Sequence, residues 1–139
     1  MTRLLPALFI LAFSLTASAQ LMDFFPEISG VEREAAARTA LKSPDTVVLY
    51  AKGLCCASCA IGIRKKVSKL DFVNTERFNQ GIELDPKTQL VRIAIKPTYK
   101  EEMKALKEAI SDAGYDAMQL FKLVDGKLEV KAFASNQSP

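Results

Sequence analysis

The residues of this chain best suited to chemistry are three cysteines crowded into "GLCCASCAIGIRKK", Gly53 to Lys66: Cys55, Cys56 and Cys59. The 139 residues hold no further cysteine and no histidine. Cys56 and Cys59 have C-x-x-C spacing, which serves a metal clamp, a thiol-disulfide redox couple or a fixed structural disulfide. An odd count cannot be fully paired within one chain, so at least one thiol needs another explanation. A closed zinc site wants four ligands, usually Cys and His, and this chain cannot supply them. Soft thiolates select soft ions, and two or three sulfurs are enough for Cu(I) or Hg(II). The lack of histidine weakens a Cu(II) or nickel reading, and no iron-sulfur or haem spacing is present.

The flanking sequence predicts what must hold these cysteines. Thr46 to Lys52, "TVVLYAK", is β-branched and apolar on both faces, Val47/Leu49/Ala51 and Val48/Tyr50, and Gly53 ends it: a strand. From Ser58 to Leu70 the apolar positions Ile63, Val67 and Leu70 recur at helical spacing among Arg64, Lys65, Lys66 and Lys69, whose charges read as a solvated face. The cysteines thus fall at a helix N-terminus, where unpaired backbone N–H groups and partial positive charge favour thiolates over thiols. Phe72 to Leu84 reads as a loop and then a strand, "DPKT" as a turn, and "QLVRIAIK" as the second arm of a hairpin. In "PTYKEEMKALKEAISDAGY", Thr98 and Glu101 have capping-box spacing, Met103, Leu106 and Ile110 form a stripe, and Gly114 stops the helix. "DAMQLFKL" closes the sheet, and Asp125-Gly126 turns into one more strand. Met103 and Met118 sit at the spacing of core residues rather than of ligands. The order strand, helix, strand, strand, helix, strand gives an α+β, ferredoxin-like βαββαβ sandwich with both helices on one face of an antiparallel sheet, plus a short N-terminal helix and a C-terminal hairpin extension. The sheet face bearing Val48, Tyr50, Leu90 and Ala94 is too apolar to be bare. Either the Val31–Leu41 segment or the tail hairpin is expected to cover it.

"GLCCASC", the stripe Ile63, Val67, Leu70 and Val73, and the closing "AISDAGYDA" together resemble the heavy-metal-associated domain, the family of copper chaperones, metal-ATPase N-terminal modules and the periplasmic mercury-binding protein. The resemblance spans about Thr46 to Leu123. It implies metal ligands at Cys56 and Cys59, a loop glycine at Gly53, and an aromatic near the site at Tyr115. Three departures stand out. Leu54 replaces the family's usual Met, a swap of similar volume that keeps a buried anchor. Cys55 replaces the usual Thr and adds a possible third sulfur ligand. Between Val73 and Val91 the chain is several residues longer than the family norm. The thiol-disulfide alternative would share a C-x-x-C at a helix start. Leu54 and the βαββαβ order argue against a thioredoxin-like protein, whose redox pair normally follows an aromatic in a different strand order.

The organisation expected is a signal peptide over 1–19, an extension with a short helix over 20–45, the heavy-metal-associated domain over 46–123, and a strand and frayed tail over 124–139. "MTRLLPALFILAFSLTASAQ" has the charged start, apolar run and Ala17-Ser18-Ala19 site of a cleavable secretory signal, so the mature chain would begin at Gln20 in the periplasm or outside the cell. Cleavage leaves 120 residues with 18 basic and 16 acidic side chains, a balance that excludes the strong basic excess of a nucleic-acid partner. No later segment is apolar enough to span a bilayer. The expectation is an exported, non-enzymatic carrier that binds Cu(I) or Hg(II) and passes the ion to a membrane metal transporter or another metal-transfer protein. Oxidation to a Cys56–Cys59 disulfide would abolish binding, so a reductant or prompt metal loading is implied.

Overall fold

The computed structural model describes residues 28–56 and 58–134, with Cys59 by its backbone alone. The expected signal segment over 1–19 and residues 20–27 lie outside these residues, as does the tail from 135 on. The elements in chain order are α1 (Gly30–Ala40), β1 (Thr46–Lys52), α2 (Cys59–Val67), β2 (Ile82–Asp85), β3 (Leu90–Ala94), α3 (Met103–Asp112), β4 (Asp116–Val124) and β5 (Lys127–Ala132). The strands form one antiparallel sheet in the order β2-β3-β1-β4-β5. β1 to β4 with α2 and α3 make the expected ferredoxin-like sandwich. α1 and β5 are additions to it.

The pleat of β1 sorts its apolar residues onto two faces. Val47, Leu49 and Ala51 join the larger core with Ile63 and Val67 of α2 and Leu106 and Ile110 of α3. Val48 packs on the opposite side with Leu90, Phe121, and Ala37 and Leu41 of the α1 segment; Tyr50 borders this cluster. α1 is thus what covers the second face, with Leu128 of β5 at its edge. It is capped by a reciprocal box in which Ser29 Oγ accepts from the Glu32 backbone and the Glu32 carboxylate accepts from the Ser29 backbone.

Two sequence expectations need correction. The Thr98–Glu101 capping box is not formed: α3 begins at Met103, its N-cap is Glu102, and no side-chain cap bond is present. Glu101 instead accepts a 2.9 Å hydrogen bond from Lys122 of β4, a tertiary partner that satisfies the carboxylate better than an exposed backbone N–H. Met118 is 39% exposed rather than a core residue: it falls at the irregularity in the β1–β4 pairing, between Ala117 opposite Ala51 and Gln119 opposite Tyr50, and takes no partner on β1. The C-terminus of α3 is as read: the Tyr115 N–H donates to Ile110 and the Gly114 N–H to Ser111, a Schellman closure that turns the chain into β4.

Candidate metal centre

The β1–α2 loop is built around a buried foot and an exposed rim. Gly53 leaves β1 at φ +95°, a left-handed conformation that L side chains rarely adopt, and so turns the chain off the sheet. Leu54 is then fully buried in the larger core, as its apolar character predicts. Burial of this one side chain fixes the height of the loop, and the residues that follow it emerge into solvent. Cys55 and Cys56 are both exposed. Cys59 is the first residue of α2, and its side chain lies outside the described atoms.

Ser58 is the residue that sequence reasoning missed. It occupies the N-cap of α2 with helical backbone angles and makes no side-chain cap bond. Its hydroxyl instead lies 2.9 Å from Cys56 Sγ, a separation at which either group can donate. A serine immediately before the first helical residue is a sequence signal for a cap, and here that hydroxyl serves the cysteine. Tyr115 lies on the other side of the loop. Its Cδ1 is 3.6 Å from the position a β-carbon on Gly53 would take, so the ring faces the glycine at the loop's entrance with room for one more carbon between them.

Structure thus brings together Gly53, Leu54, Cys55, Cys56 and Tyr115 at one end of the sandwich, with the backbone of Cys59 beside them. Among the described residues no group of three or more Cys, His, Asp or Glu side chains is arranged to hold an ion, a set from which the Cys59 thiol is missing. Arg64 and Lys65 lie in the last turn of α2, where cations complement the helix dipole. Lys66 reaches 3.7 Å from Asp112 on α3.

The sequence profile of the heavy-metal-associated domain matches residues 48–116. Among solved structures, a similar one is the solution structure of the yeast copper transporter domain Ccc2A in the apo and Cu(I)-loaded states, with 21% identity and a TM-score of 0.42 over 52% of this chain and 89% of that one. No curated protein sequence matches. From β1 to the start of β4, this chain is a member of the heavy-metal-associated domain family, and metal binding is its function class.

Proposed function

We propose that the chain binds a soft metal ion, Cu(I) in the first place, between the thiolates of Cys56 and Cys59 and transfers it to a partner by ligand exchange. The observation that carries this reading is the loop itself: an exposed Cys56 three residues before a cysteine that opens α2, held over a buried Leu54. Exposure matters because an incoming partner sulfur must reach the ion before the first pair releases it. Each partner thiol that binds gives up its proton, and each departing thiolate takes one, so the exchange is neutral in protons. No bond within a substrate is made or broken, and the protein acts as a carrier rather than an enzyme. Hg(II) shares the two-sulfur preference and is the second candidate ion. Residues 1–19 support export of the carrier by their signal-like pattern, and among the described residues no helix is long and apolar enough to cross a membrane.

Titration of the reduced mature chain with Cu(I), Hg(II) and Zn(II) against competing chelators tests the reading. The expected result is one thiophilic ion per chain, tight binding of Cu(I), weak binding of Zn(II), and loss of at least about a hundredfold in Cu(I) affinity on Cys56→Ser or Cys59→Ser. Weak binding of every ion, together with a rapidly exchanging disulfide, would overturn it in favour of thiol-disulfide exchange. Mass spectrometry of the exported chain tests its start at Gln20.

A further inference from the structure

β5 is an edge strand, with β4 on one side and no strand on the other among the described residues. It pairs with β4 residue for residue from Lys127 to Ala132. The Phe133 N–H donates to the Met118 carbonyl at 3.0 Å, which sets the phase of the ladder. Hydrogen-bonded positions alternate in an antiparallel pair, so Lys127, Glu129 and Lys131 turn their backbone groups to β4, and Leu128, Val130 and Ala132 turn theirs outward. As far as Ala134 the following chain leaves that outer side open. Phe133 packs on the larger core and Lys107 of α3 donates to the Ala134 carbonyl, so this stretch is held on the helical face. Of the devices that blunt an edge, β5 has neither proline nor bulge, only charged side chains.

Those charges are self-complementary. Two copies of β5 laid antiparallel can bond through their outward groups in registers centred on Glu129, Val130 or Lys131. Centring on Glu129 sets two carboxylates directly opposite each other, and centring on Lys131 sets two ammonium groups so; both are destabilising. Centring on Leu128 or Ala132 runs half the strand into the other copy's Asp125-Gly126 turn or past its Phe133. Centring on Val130 instead places Glu129 of each copy opposite Lys131 of the other. It also uses every outward group: the two Val130 residues exchange both bonds, and Leu128 exchanges both with Ala132. Glu129 and Lys131 then stand at non-hydrogen-bonded positions, where facing side chains come closest. Within one chain their charges are already 3.3 Å apart, so the pairing closes two ion pairs into one alternating ring. On the other face Val130, 38% exposed and registered against Phe121, meets its own copy.

The opposite edge of the sheet repels itself. The Ala94 N–H donates to the Gly81 carbonyl, so in β2 Ile82 and Leu84 face outward, and registers centred on Glu83 or Leu84 set Glu83 against Glu83 or Asp85. We propose that two copies of this chain form a two-fold dimer through β5, centred on Val130, in which the two sheets continue into one. The axis stands perpendicular to the sheet, so both α1 helices lie on one face and the α2–α3 layers on the other. β5 runs parallel to β1, and the two cysteine loops therefore point to opposite ends of the joined sheet. Each loop stays open, and the dimer does not depend on the metal-binding reading. The contact is one strand wide, which places it among small, reversible interfaces. An unrelated extended peptide could also add to this edge, but the mirrored Glu129 and Lys131 favour a second copy.

The test is sedimentation velocity of the reduced mature chain, free of metal, between about 1 μM and about 1 mM, the range of a small reversible contact. A monomer–dimer equilibrium is expected. Glu129→Lys and Lys131→Glu should each weaken self-association at least about tenfold, because each places like charges opposite. An equimolar mixture of the two variants should dimerise again, since every facing pair is then of opposite sign. Val130→Pro removes an outward N–H and no bond to β4, and should leave a folded monomer by circular dichroism. Cu(I) loading and Cys56→Ser should leave the dimer unchanged. A chain that stays monomeric throughout would overturn the proposal, and so would a mixture that fails to recover the dimer. Growth beyond a dimer would mean that β5 meets β2. Association that needs Cu(I), or that is lost with Cys56→Ser, would move the contact to the cysteine loops and equally sink the β5 interface.

Discussion

The Tyr115 ring stands 3.6 Å from where a β-carbon on Gly53 would sit, an ordinary contact distance. That spacing is comfortable, so the glycine is required by its φ of +95° rather than by the ring. Gly53→Ala should cost about 1–2 kcal/mol in urea unfolding. In a cycle with Tyr115→Ala the two effects should add to within about 0.5 kcal/mol. A larger coupling would mean that the glycine makes room for the aromatic.

Cys55 faces solvent next to Cys56, and adjacent residues on an extended loop tend to direct their side chains apart. Cys55→Ser is therefore expected to change Cu(I) affinity by less than about tenfold, or about 1.4 kcal/mol. X-ray absorption of the Cu(I) form should show two sulfurs in parent and variant alike. A third sulfur that disappears with the substitution would make Cys55 a ligand.

Glu101 and Lys122 make the best-shielded ion pair of the described residues, with side chains 15% and 25% exposed. Burial pushes the Glu101 carboxyl up, but the hydrogen bond from Lys122 and the surrounding charges outweigh it and hold the group below its ordinary 4.5. The same hydrogen bond holds Lys122 above its ordinary 10.5. Glu101 therefore contributes stability above pH 4.5 that is lost as pH falls through its folded value. Lys122 contributes below pH 10.5 and loses its share as pH rises through its own folded value. Glu101→Gln should cost about 1–2 kcal/mol near neutral pH, a difference that shrinks in acid. Chemical denaturation of parent and variant between about pH 3 and 8 measures this.

Removal of everything before Pro44 would uncover Val48, Leu90 and Phe121, which α1 and Leu41 bury. A chain starting at Pro44 should lose about 3 kcal/mol or more, with its melting temperature lowered accordingly. An unchanged melt would show that α1 adds nothing to the sheet it covers.

The strands were legible because their chemistry is local. β1 has the bounds that its β-branched run and Gly53 predict, and Asp125-Gly126 turns the β4–β5 hairpin with both residues at positive φ. Gly114 could be placed because a helix stop is written in one residue. The start of α3 could not, since Thr98 and Glu101 have the spacing of a cap while the carboxylate's actual partner, Lys122, is 21 residues away. At the candidate site, the buried foot Leu54 followed from residue type. The Ser58–Cys56 contact required the loop's geometry, and so did the approach of Tyr115 to Gly53. Only the α1 box was missed with its signal in plain view, as Ser29 and Glu32 stand three apart.

With α1 on one face of the sheet and α2 and α3 on the other, the cysteine loop is a short segment on a stiff mount. Few backbone torsions would have to be frozen when a partner engages it, so little conformational entropy would be lost on docking. The pace of a hand-over would then be governed by sulfur displacing sulfur rather than by any rearrangement of the protein beneath.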